Sequence, residues 1–244
     1  MTKIALVSGA TGGLGQSIAM RLSEAGYSLA LHYYQNRDKA IELLDRLSNN
    51  TGRNGIFQAD LSKEEEVIRL CSEVKNTLGP VEVLINNAGI PFSGLSWKQT
   101  VEDWQTVFSI NTMAAWLLSK HSIPMMRDQG NGRIVYTSSV VAHRPLAGTS
   151  AYAASKAALE GLTRAQAVEL ARFGITVNCI APGYFDAGMI SSVNEEIRND
   201  LIENTPAKRL GSSRELAEAV VYLCSEQAAF TTGQILHVNG GLYI

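Results

Sequence analysis

Two residues in the middle of the chain could exchange protons. Tyr152 and Lys156 are four residues apart in an alanine-rich segment, 151–171, whose composition favours a helix. That spacing places a phenol beside an ammonium group on one helical face. A free phenol has a pKa of about 10, and a neighbouring cation lowers the pKa towards the range useful for acid–base catalysis. The pair therefore predicts a proton-transfer site; the alternative is a solvated helix face.

A hydroxyl group could join this pair from a neighbouring element. Ser139 follows Ser138 at the end of an apolar run, residues 133–139, that predicts a buried strand. In open α/β sheets, ligands bind at the carboxyl ends of the strands. We therefore expect the Ser139 hydroxyl at the edge of the sheet where a substrate would lie.

A glycine-rich turn follows the first predicted strand, residues 3–8. Gly9, Gly13 and Gly15 have the spacing G-x-x-x-G-x-G, and the helical pattern behind them ends at Gly26. A strand, turn and helix of this kind bind a nucleotide pyrophosphate at the helix N-terminus. We expect Gly9 to permit the tight turn, Gly13 to let the backbone approach a pyrophosphate, and Gly15 to let the helix pack closely. An ordinary turn is the alternative, because glycines also close helices.

The end of the second predicted strand bears on the choice of cofactor. An acidic residue there would accept hydrogen bonds from an adenosine ribose and favour NAD, but no carboxylate precedes Asp38. Asn36 and Arg37 could instead hold a 2′-phosphate. The sequence thus favours NADP(H), with NAD(H) as an alternative. Arg37 could equally belong to the exposed start of the next helix, residues 38–47.

Several polar or small residues follow other predicted strands. The carboxylate of Asp60 could accept a hydrogen bond from an adenine amino group. Residues 86–89, Asn-Asn-Ala-Gly, suit a backbone pressed against a ligand, with a plain turn as the alternative. Ser62 and Glu65 predict a capping box for the next helix.

Two further polar residues, Asn111 and His143, are candidates for a role in the site. Asn111 falls within a predicted long helix, residues 101–121, where asparagine is mildly unfavourable. We expect its amide to have a specific task, with a satisfied buried hydrogen bond as the alternative. His143 lies between Ser139 and Tyr152 and could line a substrate pocket, or it could be exposed.

Composition and charge narrow the class of protein. The chain has 244 residues, 45% hydrophobic and 18% charged, and a formal net charge of −2. No basic run is present, so the chain lacks the positive charge with which proteins bind nucleic acid or anionic membrane surfaces, and we expect neither as a partner. The three scattered cysteines suggest a reducing compartment, and no segment resembles a signal peptide or a membrane span. We expect a cytoplasmic protein without a metal site.

The order of the elements predicts one α/β domain spanning residues 1–244, with strands and helices in alternation. Residues 184–206 interrupt this alternation, and we interpret them as a lid over the site, with a short helix at 194–202 and apolar Tyr184, Phe185, Met189 and Ile190. The predicted strands cover residues 3–8, 28–33, 55–61, 81–85, 133–139, 175–181 and 234–238.

Taken together, these motifs resemble the classical short-chain dehydrogenases/reductases along essentially the whole chain. The resemblance rests on Gly9-x-x-x-Gly13-x-Gly15, Asn86-Asn-Ala-Gly89, Asn111, Ser139, Tyr152-x-x-x-Lys156 and Pro182-Gly183. It implies a Rossmann-like, doubly wound sheet of seven parallel strands with helices on both faces, usually in a homotetramer. Within the family, residues 174–178, 206–211 and 232–243 look most like the β-ketoacyl-acyl-carrier-protein reductases.

The resemblance also implies roles for individual residues. Tyr152 would protonate a substrate carbonyl, Lys156 would lower the tyrosine pKa and bind the nicotinamide ribose, and Ser139 would hold the carbonyl oxygen. Asn111 would fix a water in a proton relay. The cofactor would contact Gly9, Thr11, Gly12, Gly13, Leu14, Asn36, Arg37, Asp60, Leu61, Asn87, Ala88, Gly89, Tyr152, Lys156, Pro182 and Gly183.

Two positions depart from the family pattern. Gly12 stands where a basic residue often contacts the 2′-phosphate, and Ala187 stands where a threonine often binds the nicotinamide carboxamide. The expected activity is NADP(H)-dependent reduction of a carbonyl, most specifically of a small or carrier-protein-bound β-ketoacyl thioester. Another small alcohol or ketone, of a sugar, steroid or polyketide type, is the alternative substrate. A nucleotide-binding sensor without catalysis is the alternative from another class.

Overall fold

A seven-stranded parallel sheet forms the centre of the molecule. The computed structural model describes residues 2–47, 52–188, 190 and 193–244. The strand order is β3-β2-β1-β4-β5-β6-β7, which confirms the predicted doubly wound sheet. The strands are β1 (Ile4–Val7), β2 (Ser28–Tyr33), β3 (Gly55–Gln58), β4 (Val83–Asn86), β5 (Gly132–Thr137), β6 (Ile175–Pro182) and β7 (Ile235–Val238).

The central strands are apolar because both of their faces are covered. Every residue of β1, β2, β4, β5 and β6 is buried, as expected for a parallel sheet between two helical layers. Strand β1 pairs with β2 on one side and with β4 on the other. The chain therefore reverses its direction of winding between β1 and β4, and ligands bind in the crevice that such a reversal opens.

Helices pack on both faces of the sheet. They are α1 (Gly13–Glu24), α2 (Arg37–Leu47), α3 (Glu64–Thr77), α4 (Val101–Phe108), α5 (Ala114–Gln129), α6 (Ser150–Leu170), α7 (Glu195–Asn204) and α8 (Ser213–Cys224). One apolar core joins the sheet to α1, α2 and α8, and a second joins it to α3, α5 and α6. No helix in these described parts of the chain is both long and apolar enough to cross a membrane.

The predicted long helix over residues 101–121 is divided in two. Helix α4 ends at Phe108, a π-helical turn covers Ser109–Met113, and α5 continues to Gln129. The second helix extends beyond the predicted end, through Pro124, because Met126 is fully buried in the core. It ends at Gly130, whose φ of 67° reverses the chain.

The predicted capping box of Ser62 and Glu65 is wrong. Helix α3 begins at Glu64, and no side chain caps its N-terminus. The Ser62 hydroxyl instead donates to Asp60 Oδ1 at 2.7 Å, and the Asp60 amide donates to Glu66 Oε2. Strand β3 is also shorter than predicted, because the chain leaves the sheet after Gln58 to form this turn.

A buried histidine ties three strands together at the carboxyl edge of the sheet. The Nδ1 atom of His32, at the end of β2, accepts from the Gly9 amide at 3.1 Å. Its Nε2 atom lies 3.0 Å from the carbonyl oxygen of Ala59, which only accepts, so Nε2 carries the proton. The glycine turn after β1 and the chain after β3 are therefore both fixed to β2 by one neutral imidazole.

We expect His32 to make the stability of the fold depend on pH. Burial lowers the pKa of His32 from 6.5 to about 4. Between these values the unfolded chain takes up a proton that the folded chain does not, so the free energy of unfolding falls as the pH falls through this window. The shift corresponds to about 3 kcal/mol. Above pH 6.5 His32 is neutral in both the folded and the unfolded chain. In that range His32 no longer changes the free energy of unfolding as the pH rises.

Urea unfolding of the wild type and of His32→Asn, at fixed protein concentration, checks this expectation. Asparagine keeps polar atoms at the site but does not titrate. The difference in unfolding free energy between the two proteins should change across the window and stay constant above it. A difference that is independent of pH would contradict the burial of a neutral imidazole.

Candidate active site

A large cavity lies at the carboxyl edge of the sheet, above the crevice between β1 and β4. It has a volume of about 670 Å³, within the range of small-molecule and cofactor sites. Its wall contains nearly all residues that the sequence predicted for a dinucleotide: Gly9, Thr11, Gly12, Gly13, Leu14, Asn36, Asp60, Leu61, Asn87, Ala88, Gly89, Tyr152, Lys156, Pro182 and Gly183.

The glycine turn has the geometry of an anion-binding loop. Gly9 has a φ of 61°, a conformation that favours glycine. A Cβ on Gly15 would lie 2.3 Å from the Gly9 carbonyl oxygen, so the close approach of α1 to the turn requires a glycine there. No side chain caps α1, whose first turn also contains no acidic residue. The exposed amides and the helix dipole at this end suit a pyrophosphate.

Gly13 lies against the segment that follows β6. A Cβ at this position would lie 2.3 Å from the amide nitrogen of Gly188. The small residue therefore lets the segment after β6 approach the glycine turn closely.

Hydrogen bonds lock the glycine turn to the 86–89 segment. The Ser8 hydroxyl donates to the Ile85 carbonyl and accepts from the amides of Asn87 and Ala88. The Asn87 side chain donates back to the carbonyl oxygens of Ser8 and Gly9 at 3.1 and 3.2 Å. Two loops from neighbouring strands thus form one rigid wall of the cavity.

The end of β2 brings only part of the predicted phosphate site to the cavity. Tyr34, Gln35 and Asn36 belong to the described part of the cavity wall. Arg37 does not belong to it. Arg37 is exposed at the first position of α2, in agreement with the alternative that the sequence left open. Asp60 lines the cavity, and hydrogen bonds from Ser62 lower the pKa of its carboxyl group.

Asn111 supports the cavity from behind and does not line it. Its side chain is fully buried in the π-helical turn, a distortion that is frequent at functional sites. The amide group accepts from the Ile90 N–H at 2.8 Å and donates to the Ile90 carbonyl and the Ser155 hydroxyl. Asn111 therefore joins the loop after β4 to helix α6, next to Lys156.

Ser139, Tyr152 and Lys156 all belong to the wall of the cavity. The Ser139 hydroxyl is close enough to the Tyr152 phenol to act on its pKa, and it is oriented by the Val141 N–H, which donates to Ser139 Oγ at 3.2 Å. Lys156 Nζ donates to the Thr137 carbonyl at 2.8 Å and lies 5.8 Å from the centre of the Tyr152 ring.

The expectation that Lys156 lowers the pKa of Tyr152 is wrong for this structure. Burial raises the pKa of Tyr152 above its ordinary value, and the Ser139 hydrogen bond opposes the rise. Burial also lowers the pKa of Lys156 to about 8. Both shifts have one cause, because a low-polarity environment disfavours the charged form of either group.

Sequence reasoning missed two titratable residues at this edge of the sheet. His32 interrupts an apolar strand, which is the signal that could have identified it. Glu160 is a buried carboxylate on α6, 4% exposed; its spacing of four residues from Lys156 was the available signal. His143, left open by the sequence, is partly buried and its Nε2–H donates to Glu160 Oε1 at 2.8 Å. It is not in the cavity wall.

The predicted lid is only partly covered by the residues that the structure describes. Met189 of the predicted lid lies outside the described residues, whereas Tyr184, Phe185 and Ile190 line the cavity. In the described ranges, no group of three or more His, Cys, Asp or Glu side chains is arranged to hold a metal ion.

Comparison with known proteins extends this picture. A family model described as enoyl-(acyl carrier protein) reductase matches residues 9–243. The 3-oxoacyl-[acyl-carrier-protein] reductase FabG of Staphylococcus epidermidis is 36% identical over 244 residues, covering 100% of both chains. Nodulation protein G of a Rhizobium species is 40% identical, covering 98% of this chain and 96% of its own.

A solved structure shows the same architecture. The crystal structure of a candidate gluconate dehydrogenase from Agrobacterium tumefaciens superposes with a TM-score of 0.94 at 30% sequence identity. It covers 98% of this chain, and this chain covers 95% of it. With a cavity suited to a dinucleotide and full-length relatives, the chain belongs to the classical short-chain dehydrogenase/reductase family of NAD(P)-dependent oxidoreductases.

Proposed function

We propose that this oxidoreductase uses NADPH to reduce the carbonyl group of a β-ketoacyl thioester to a hydroxyl. The observation that carries the proposal is that Ser139, Tyr152 and Lys156 line the same cavity as the glycine turn. A nicotinamide bound in the cavity would supply hydride to the carbonyl carbon. The residues of this chain would bind the oxygen and supply the proton.

Each of the three residues has a distinct task in this mechanism. Tyr152 donates its proton to the substrate oxygen, and its raised pKa keeps the phenol protonated at neutral pH. Ser139 donates a hydrogen bond to the same oxygen as charge develops there. Lys156 binds the nicotinamide ribose from its place beside Thr137, where its pKa of about 8 allows it to exchange protons near neutral pH.

Asn111 would take part in the same mechanism because it lies next to Lys156. Its amide group fixes Ile90 and Ser155, and a Cβ on the intervening Gly89 would lie 3.2 Å from both Asn111 Oδ1 and Lys156 Nζ. The proposed proton relay from Lys156 would run through a water held beside Asn111.

The substrate assignment rests on the apolar end of the cavity and on the relatives. Ile90, Val141, Tyr184, Phe185 and Ile190 line this end and would accept an acyl chain. Residues 184–206 would form the lid over it. The Staphylococcus epidermidis relative is by name a reductase of 3-oxoacyl groups on a carrier protein, and a carrier-protein or coenzyme A thioester is the substrate proposed here.

A second candidate is the oxidation or reduction of another small alcohol or ketone, such as a sugar acid. The specific observation in its favour is the structural similarity to a candidate gluconate dehydrogenase. The two functions share the cofactor and the proton donor, and they differ only in what fills the apolar end of the cavity.

NADP is the proposed cofactor because the end of β2 suits a 2′-phosphate better than a free ribose. The described wall there consists of Tyr34, Gln35 and Asn36, without a carboxylate. The N-terminus of α2 follows directly, and the exposed Arg37 side chain at its first position could turn towards the phosphate. We also propose a cytoplasmic location, since Cys71, Cys179 and Cys224 are all buried free thiols.

The proposed assembly is a homotetramer built through two apolar surfaces. Val168 of α6, Tyr222 of α8, Phe230 and the C-terminal Ile244 are exposed, and Phe230 and Ile244 completely so. A second surface on α4, α5 and the segment before them exposes Trp97, Val101, Trp104, Met113 and Trp116. Two such patches on one monomer would generate two different two-fold interfaces.

Replacing Tyr152 by phenylalanine should abolish most of the activity without disturbing the cofactor site. We expect kcat for acetoacetyl-coenzyme A to fall by about 10²- to 10⁴-fold, because the proton donor is lost, while the Kd for NADPH remains that of the wild type. Tyr222→Phe, a change at an exposed tyrosine of α8, is the control. A Tyr152→Phe protein as active as the wild type would exclude the mechanism.

Arg37 should distinguish the two cofactors. We expect the wild type to oxidise NADPH much faster than NADH with acetoacetyl-coenzyme A, and Arg37→Ala to lower kcat/KM for NADPH by about 10- to 100-fold, the value of a charge-assisted hydrogen bond. NADH turnover should be unaffected. Arg46→Ala, on the same helix with its side chain towards Gln16, is the matched control. A preference for NADH would contradict the cofactor assignment.

Phe230→Asp should weaken the assembly. A carboxylate cannot be buried in an apolar interface without a partner, so sedimentation equilibrium should show tetramers for the wild type and smaller species for the variant. Ile68→Asp, a change at an exposed apolar residue of α3 outside both surfaces, should leave the tetramer intact. A monomeric wild type would refute the proposed assembly.

A further inference from the structure

A buried carboxylate on the helix of the proposed proton donor has no role in the mechanism described so far. Glu160 lies eight residues after Tyr152 and four after Lys156 on α6, and its side chain is almost completely buried. Residues at these spacings share one helical face. Since burial of a charge is costly unless the charge is hydrogen-bonded, the contacts of Glu160 indicate what it does.

One oxygen atom of Glu160 holds two points of the same loop. The Ser138 hydroxyl donates to Oε1 at 2.8 Å, and the His143 Nε2–H donates to the same Oε1 at 2.8 Å. These two residues bracket Ser139 and the single 3₁₀ turn Val140–Ala142. The segment 138–143, which we name the serine segment, is therefore fastened at both ends to the helix that carries Tyr152.

The orientation of Ser139 depends on this segment. Its Oγ accepts from the Val141 N–H within the 3₁₀ turn, and its hydroxyl is close enough to the Tyr152 phenol to lower the phenol pKa. A shift of the segment along α6 would therefore change the geometry between Ser139 and Tyr152 directly. The distance between these groups and a reacting oxygen must be held closely, because small misplacements cost large factors in rate.

The other side of His143 is packed against the C-terminal part of the chain. Its ring stacks on Tyr243 with centroids 4.4 Å apart and meets His237 edge-on at 4.8 Å. The guanidinium group of Arg164 lies 3.9 Å from the second oxygen of Glu160. The imidazole is thus confined between Glu160 and two aromatic rings, which keeps Nε2 directed at the carboxylate.

We propose that Glu160 is a positioning residue, which through Ser138 and His143 holds Ser139 in register with Tyr152 for proton donation. The inference deepens the proposed function and rests on it. A role in stability alone would predict that any Glu160 variant that folds retains its kcat.

Three variants separate these alternatives. Glu160→Leu removes the acceptor, Glu160→Gln keeps one oxygen and the shape, and Glu169→Gln changes an exposed glutamate on the same helix as the matched control. Each is measured for its melting temperature, its Kd for NADPH, and kcat and KM with acetoacetyl-coenzyme A. The deuterium isotope effect with NADPH labelled at the transferred position is also measured.

We expect Glu160→Leu to lower kcat by about 10- to 100-fold, the scale of a misplacement near 1 Å, with KM and the Kd for NADPH within about twofold of the wild type. The isotope effect should rise, because the chemical step becomes rate-limiting. Glu160→Gln should restore most of the rate, and Glu169→Gln should match the wild type. Unchanged kcat in a folded Glu160→Leu protein would overturn the proposal.

A measurement without turnover keeps this inference separate from the substrate assignment. Ultraviolet absorbance titration of the phenols, taken as the difference from the same protein with Tyr152→Phe, reports the pKa of Tyr152. Glu160→Leu should raise that pKa further, since the Ser139 hydrogen bond that opposes the rise is weakened. If acetoacetyl-coenzyme A is no substrate, the proposed function fails, yet this titration still decides the role of Glu160.

Should Glu160→Leu not fold, Ser138→Ala decides the question. It removes one of the two donors to Oε1 and leaves the carboxylate bound to His143. A lower kcat with an unchanged Kd for NADPH, together with a raised pKa of Tyr152, supports the positioning role. A wild-type kcat and an unshifted Tyr152 pKa contradict it.

Discussion

Burial of two titratable side chains at the carboxyl edge of the sheet is the constraint on which the site depends. The same low-polarity surroundings raise the pKa of Tyr152 and lower that of Lys156 to about 8. The phenol is therefore held in its neutral form, whereas the Lys156 ammonium remains charged at neutral pH but loses its proton more readily than an exposed lysine. A phenol kept protonated is suited to donate a proton to a carbonyl oxygen, and a lysine near neutrality can return one. The polar contacts around them, from Ser139 and Thr137, are what makes this burial tolerable.

The fold supplies these contacts by bringing separate chain segments to one edge. Ser8 and Asn87 join the loops after β1 and β4, His32 joins the loops after β1 and β3, and Asn111 joins the loop after β4 to α6. In each case a side chain satisfies backbone groups of a loop that follows a strand, where the strand's own ladder of hydrogen bonds has ended. The rigidity of the site therefore comes from side chain-to-backbone bonds across loops and not from the sheet alone.

The architecture and most of the cavity wall could be predicted from the sequence, because both follow from local patterns of residues. Apolar runs, glycine spacing and the Tyr152–Lys156 interval each depend on residues close in the chain. What it did not predict depends on distant contacts. The pKa of Tyr152 is governed by burial, which no local spacing reports, and the supposed cap at Ser62 was lost to competition from Asp60. Glu160 escaped notice because its partners, Ser138 and His143, lie 22 and 17 residues away in a preceding loop.

The approach of Gly188 to Gly13 links the two ends of the cavity. A Cβ on Gly13 would overlap the Gly188 backbone, so the segment that begins the proposed lid rests directly on the turn proposed to bind the pyrophosphate. Phe185 is in turn packed against Gly211, where a Cβ would lie 2.5 Å from its ring. The same segment lines the cavity through Phe185 and Ile190. One stretch of chain after β6 therefore packs against the glycine turn and also forms part of the wall proposed to receive the substrate.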